Sequence, residues 1–206
     1  MRLMRRGTEY SIMLGTNELM NSRLSGSERA LATLACDKLT ERSAPVVLIG
    51  GLGMGFTLRA ALGVLSRAAK VTVAELVPAV INWARGPMAT VFEGCLDDPR
   101  VNVHQGDVLA LIRSAKAKYD AILLDVDNGP DGLTRAANDG LYSARGLEAM
   151  WQALTPGGVL TVWSSAPDDR FTQRVKAAGF SVEVVPVRAR GKRGARHVIW
   201  VALKRR

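Results

Sequence analysis

The chain has 206 residues, 48% of them hydrophobic and 23% charged, which is enough for one globular domain with a sizeable core and too few for two ordinary ones. No apolar run reaches the roughly 18 residues of a membrane-spanning helix, and the arginine-rich start lacks the apolar block of a secretory leader, so a cytoplasmic location and no membrane partner are expected. The formal charge of +9 is uneven: residues 1–6 and 188–206 hold eleven Lys and Arg and no acid, while 7–187 hold seventeen against nineteen Asp and Glu.

That excess sits in Arg2, Arg5 and Arg6, in a loop-like run of Arg188, Arg190, Lys192, Arg193 and Arg196, and in Lys204-Arg205-Arg206. It reads first as solvated charge, with nucleic acid or another polyanion as a less favoured partner. Cys36 and Cys95 show no metal-ligand spacing. Both are expected to be reduced, partly buried thiols, and no metal site is expected.

In chain order, residues 9–14 and 18–21 flank Gly15-Thr16-Asn17 and predict a small hairpin, a candidate dimer contact, and residues 27–39 predict a helix leading into the main sheet. From Val46 onward short β-branched runs alternate with longer amphipathic ones, the pattern of repeated βαβ units in a parallel sheet covered on both faces. Strands are expected at 46–50, 71–75, 101–104, 121–125 and 159–163, with helices at 55–69, 78–89, 108–115, 144–154 and near 168–178. Gly86-Pro87 should weaken or kink the second of these helices, and Thr155-Pro156-Gly157-Gly158 should stop the fourth. Residues 181–187 and 197–203 read as two antiparallel edge strands joined by a polar loop. The expected fold is therefore α/β and Rossmann-like: a mostly parallel seven-stranded sheet with helices on both faces, an antiparallel C-terminal hairpin and a small N-terminal β-hairpin extension over 1–25, within a single ligand-binding domain spanning 1–206.

The chemical signal begins where the strand at 46–50 runs straight into Gly50-Gly51-Leu52-Gly53-Met54-Gly55 and then a helix. Such a turn lets a ligand approach bare backbone near helix N-terminal amides. About twenty residues later Glu75 ends the second strand, where a carboxylate accepts both hydroxyls of a ribose. This pairing predicts a nucleoside-type ligand. A dinucleotide is disfavoured because Phe56 stands where Gly-x-Gly-x-x-Gly has its last glycine, and no phosphate-loop lysine follows. Asp107 and Asp125 add two carboxyl groups at the carboxyl ends of later strands, the edge where open α/β sheets bind ligands, although Asp107 serves equally well as a helix N-cap.

These residues resemble the class I S-adenosylmethionine-dependent methyltransferases and, within that fold, the spermidine synthases and their shorter bacterial relatives. The resemblance runs over about 14–203 and is carried by the run from Ile49 to Arg59, by Val73-Ala74-Glu75-Leu76-Val77-Pro78, Asp98-Pro99-Arg100-Val101, Gly106-Asp107, Tyr119-Asp120-Ala121-Ile122-Leu123-Leu124-Asp125 and Leu154-Thr155-Pro156-Gly157-Gly158. It implies that Gly51, Gly53 and Gly55 line the methionine and ribose part of S-adenosylmethionine or its decarboxylated form, that Glu75 (with Leu76 beside it) holds the ribose, that Asp107 meets the adenine amino group with Val108 beside the ring, and that Asp125 faces the cofactor's amine or an attacking amine.

The chain departs from the polyamine pattern as well. Asp125-Val126-Asp127-Asn128-Gly129-Pro130 replaces the Asp-x-x-Asp-Pro of spermidine synthases, Gly26-Ser27-Glu28 replaces their Tyr-His-Glu or Tyr-Gln-Glu, the hairpin glutamine is missing, and the N-terminal β-domain is reduced to about two strands. A diamine needs several acids to offset the desolvation of its charges. Methyl transfer to an unidentified small-molecule acceptor is accordingly the leading expectation, with Asp125 and Asp127 as acid/base candidates and 127–142 as the substrate segment. Aminopropyl transfer is the alternative, and a non-catalytic polyanion-binding module on the same fold is the second. A nicotinamide dehydrogenase is a remote reading. His104, His197 and the four tryptophans read as packing residues, with Trp163 near the expected pocket.

Overall fold

A computed structural model describes residues 1–126, 130, 140–190 and 193–205, with Arg193 described by its backbone alone. Three antiparallel strands open the chain: β1 (Arg2–Arg6), β2 (Glu9–Leu14) and β3 (Asn17–Asn21). The expected hairpin is β2–β3, and β1 adds a strand on the outer side of β2. Only Leu3 of β1 packs inward, so its arginines masked the alternation that marks a strand. Helix α1 (Gly26–Cys36) follows, burying Ser27, Leu31, Ala32, Ala35 and Cys36 along one stripe.

The main body then runs β4 (Val46–Gly50), α2 (Phe56–Val64), β5 (Lys70–Glu75), α3 (Pro78–Arg85), α4 (Ala89–Phe92), β6 (Val101–Gln105), α5 (Val108–Arg113), β7 (Tyr119–Leu124), α6 (Ala144–Ala153), β8 (Leu154–Ser164), α7 (Asp169–Ala177), β9 (Ser181–Arg190) and β10 (Arg193–Leu203). The seven-stranded sheet has the order β6-β5-β4-β7-β8-β10-β9. Strands β4 to β8 pair in parallel, and β10 joins β8 and β9 antiparallel. This is the Rossmann-like class I methyltransferase fold.

Side chains of successive strand residues enter two separate cores. Val47, Ile49, Ala121 and Leu123 face one, packed with α1 and α2, while Leu48, Ile122 and Leu124 face the other, packed with α5 and α6. Burial on both faces is why these strands read as unbroken apolar runs. At the amino ends of the strands, Asp120 accepts hydrogen bonds from Arg42 (2.7 Å), the Thr155 hydroxyl (2.8 Å) and the Val46 amide (2.8 Å), tying β4, β7 and β8 together.

Several expected boundaries move. Helix α2 stops at Val64 rather than 69, and Gly86-Pro87 splits the expected 78–89 helix into α3 and α4. The turn at 155–158 is a bulge inside β8: Leu154 pairs with Tyr119, and the next pair is Val159 with Ala121. The expected polar loop after 187 is instead the far end of the β9–β10 hairpin, where Arg188 lies opposite Arg196 and Arg190 opposite Arg193. Ala189 between the first two arginines is 3% exposed, so the alternation continues in a stretch whose polarity disguises it. Lys192 lies outside the described residues. No described helix is long and apolar enough to cross a membrane.

Candidate functional site

The sheet changes direction at β4, whose neighbours β5 and β7 lead to opposite sides, and the crevice above such a switch is where open α/β sheets bind ligands. Two of the turn's glycines are required there for different reasons. Gly51 has φ 91°, and a Cβ on it would lie 2.2 Å from the Asp125 carbonyl oxygen, because the chain leaving β7 crosses directly over the turn. Gly55 has φ 77°, and its Cβ would strike the Phe92 ring at 2.6 Å. Gly51 and Gly53 line a cavity of about 140 Å³; Gly55 lies behind it, starting α2.

Glu75 reaches this cavity from the end of β5. Its Oε2 accepts from the Leu52 amide at 3.0 Å and its Oε1 from the Val77 amide at 2.8 Å. The glycine turn thereby orients the carboxylate, and each oxygen keeps a further lone pair for a ligand hydroxyl. Asp107 caps α5 through the Leu109 amide (2.8 Å) and lines the same cavity, so the capping and site positions coincide. Leu76 and Val108 supply apolar wall, and Leu19 and Met20 of the N-terminal sheet close the cavity from above.

A second cavity of about 110 Å³ adjoins the first, sharing Leu19, Met20, Gly53 and Asp125 with it and adding Asn21, Glu28, Phe56 and Trp163. Asp125 stands at the junction, one residue beyond β7. Protein encloses it on every side but the cavities; this desolvation, with the nearby Glu28 charge, pushes its carboxyl up to about 7, partly opposed by the Thr57 hydroxyl donating to Oδ2 at 2.7 Å. Glu28 is also raised, chiefly by burial and against the hydroxyl of Ser27, which donates to Oε2 at 2.8 Å. Among the described residues no lysine or arginine side chain lines either cavity. Two crowded carboxyl groups with no described lysine or arginine side chain beside them favour a cation between them.

Glu28 is the residue that reading the sequence missed. Gly26-Ser27-Glu28 registered as the replacement of a motif, yet its third position keeps an acid, and that was the available signal. His197 lies beside this site: its Nδ1 is 3.0 Å from Ser27 Oγ, and its ring meets Trp163 edge-on at 4.8 Å. Asp127 and most of the expected substrate segment (127–129 and 131–139) lie outside the described residues; Leu141 and Tyr142 are buried. Cys36 and Cys95 are buried free thiols, pushed by burial to about 12 and about 11. A larger hollow of about 600 Å³ lies against α2 and residues 92–98, where Arg59 pairs with Glu93. It contains none of the strand-end acids.

Residues 29–174 match the model of the spermine/spermidine synthase domain. The chain is 36% identical over 126 residues to polyamine aminopropyltransferase 1 of Streptomyces coelicolor, covering 59% of this chain and 22% of that protein. It is 32% identical over 121 residues to polyamine aminopropyltransferase of Sulfolobus acidocaldarius, covering 59% and 39%. The chain thus spans well under half the length of these relatives. Among solved structures, spermidine synthase from Thermotoga maritima superposes with a TM-score of 0.76 at 21% identity, over 95% of this chain and 65% of that one. Human methyltransferase-like protein 13 in complex with SAH gives 0.66 at 19% identity, over 87% and 82%. At these identities the superpositions establish the fold, whereas the family match extends over well more than half of the sequence; the chain belongs to the spermine/spermidine synthase domain family.

Proposed function

We propose that the protein is an aminopropyltransferase that uses decarboxylated S-adenosylmethionine and a small amine acceptor, with residues 1–206 acting as one ligand-binding unit and 1–25 as its roof. The observation that carries this reading is the enclosure of Glu28 beside Asp125 at the second cavity, with no lysine or arginine side chain among the described residues lining either cavity. The curated relatives named above support it. The donor supplies an electrophilic methylene carbon beside a sulfonium, so that the acceptor nitrogen forms its new N–C bond as the C–S bond breaks with its electron pair left on sulfur, one proton being released.

The chain's own residues bind, orient and take up that proton. Gly51 and Gly53 offer backbone to the adenosyl ligand, Glu75 holds its ribose, Asp107 meets the adenine amino group, and Leu76 and Val108 flank the ring. Asp125 faces the donor's amine side and, with Glu28, draws in the acceptor as an ammonium. Glu28 then accepts the proton that frees the nitrogen lone pair. Lining of this kind also discriminates between donors: a carboxylated S-adenosylmethionine would bring an anionic group toward Asp125 with no cationic side chain among the described lining residues to meet it.

Methyl transfer from S-adenosylmethionine is the second reading, and its support is the shared fold with methyltransferases. Titration calorimetry with both donor forms tests the choice. Tighter binding of the decarboxylated form, together with aminopropyl transfer to simple amines, is the expected outcome; tighter binding of S-adenosylmethionine, with methylated product, would reverse it.

A further inference from the structure

Outside the residues that touch the ligands lies a hydrogen-bonded chain without a role in the reaction so far. Ser27 is 1% exposed, on the buried stripe of α1. Its hydroxyl donates to Glu28 Oε2 at 2.8 Å, and its oxygen lies 3.0 Å from Nδ1 of His197 on β10. His197 is only partly buried, so the chain runs from the acid pocket to a residue that meets solvent. We propose that Ser27 and His197 are the proton exit of this site: a proton accepted by Glu28 from the acceptor ammonium passes through Ser27 Oγ to His197 Nδ1 and leaves for solvent from Nε2. This rests on the aminopropyl reading, which requires that a proton be released.

The arrangement has two polarities, fixed by the single hydroxyl proton of Ser27. With Glu28 ionised, Ser27 donates to it and accepts from Nδ1–H, so neutral His197 carries its proton on Nδ1. With Glu28 protonated, Glu28 donates to Ser27, Ser27 donates to a bare Nδ1, and the imidazole proton is on Nε2. One concerted shift from the second arrangement breaks the Glu28 O–H bond, forms Nδ1–H, and leaves Glu28 ionised beside an imidazolium. Loss of the Nε2 proton to water then gives the first arrangement, and tautomer exchange at the half-exposed ring resets it. Burial raises the proton affinity of Glu28 and lowers that of His197, so the imidazolium is a transient carrier that gives its proton up readily. Asp125 has its own partner, the Thr57 hydroxyl.

The chain holds two histidines, so nitrogen NMR of labelled protein assigns His197 by loss of its signal in His197→Gln. At a pH where Glu28 is ionised, the wild-type protein should show the Nδ1–H tautomer, and Glu28→Gln, whose amide donates to Ser27, should convert His197 to Nε2–H. Indifference of the tautomer to Glu28→Gln would overturn the continuous path. In turnover, Ser27→Ala should lower kcat by about tenfold or more with KM for the amine little changed. Its rate should rise with imidazole buffer, and Ser27→Thr, which keeps the hydroxyl and guards against simple misfolding, should recover most of it. Wild-type rates in Ser27→Ala, or a deficit that neither buffer nor Ser27→Thr relieves, would mean that the contact only pins β10 to α1. If His197 responds to Glu28→Gln while no amine is aminopropylated by the wild type, the path stands and the aminopropyl reading falls.

Discussion

At the scale of single residues, the site is organised by what carboxyl groups cost when water is removed. Asp125 holds its proton to about 7 in the folded chain against an ordinary 3.8. A carboxyl whose folded value is raised contributes stability that is complete in acid, below its unfolded value, and is lost as pH rises through the folded value. Asp125→Asn cannot ionise and escapes that loss. Thermal unfolding should therefore show the ligand-free variant gaining on the wild type between about pH 4 and pH 7, the interval that the two values bracket. Transfer activity should collapse in the same variant, so stability and function oppose each other at this residue. An unchanged pH dependence would mean that Asp125 does not sit as a strained acid. Glu75 behaves differently, since two backbone amides already hold it in place. Glu75→Gln keeps one acceptor but turns its NH2 against the other backbone amide, so it should cost about 1–3 kcal/mol of stability and weaken an adenosyl ligand by about 1.5–3 kcal/mol, the worth of a hydrogen bond to a charged group, which calorimetry would read as a loss on the order of tenfold to a hundredfold in Kd.

At the scale of elements, the glycine turn separates positions that need glycine from those that merely have it. Gly51→Ala should destabilise the protein by about 3 kcal/mol, combining a left-handed backbone with a clash against backbone that cannot give way. Gly63, an exposed residue near the end of α2, has nothing within 4 Å of an added Cβ. Gly63→Ala should therefore stabilise by about 0.5–1 kcal/mol through helix propensity. Urea midpoints of the pair check both signs. The same scale shows how local reading succeeds and fails. Strands buried on both faces declared themselves as apolar runs, and the Gly86-Pro87 break was legible from the covalent limits of those residues. The far end of the β9–β10 hairpin was not legible, because exposed arginines in an edge strand look like a loop until a partner strand supplies the ladder.

At the scale of the whole molecule, the N-terminal sheet does more than extend the fold. Met20 on β3 lies over the turn, 3.2 Å from where a Gly53 Cβ would stand, and lines both cavities. A flexible thioether suits a roof over two adjoining cavities. Met20→Ala should weaken binding of the adenosyl donor by about tenfold, roughly the 1.4 kcal/mol of a partly lost apolar contact, while unfolding temperature changes little. A variant that binds normally would show that the roof contributes no contact.

What the sequence determined alone is the part governed by neighbours along the chain: the period of each element, the glycine turn, and acids placed at strand ends by the βαβ repeat. Gly51, Gly53, Glu75, Asp107, Val108 and Asp125 were legible for that reason, and they meet in one crevice. Tertiary structure alone decided what faces them. Glu28 comes from a helix ahead of the first main strand, and Ser27 and His197 are separated by 170 positions. No local period encodes a contact of that range. The aminopropyl reading rests on the same kind of fact, because departures from the polyamine motifs argued for methyl transfer, whereas the enclosure of Glu28 beside Asp125 concentrates in one small volume the negative charge that a cationic acceptor requires.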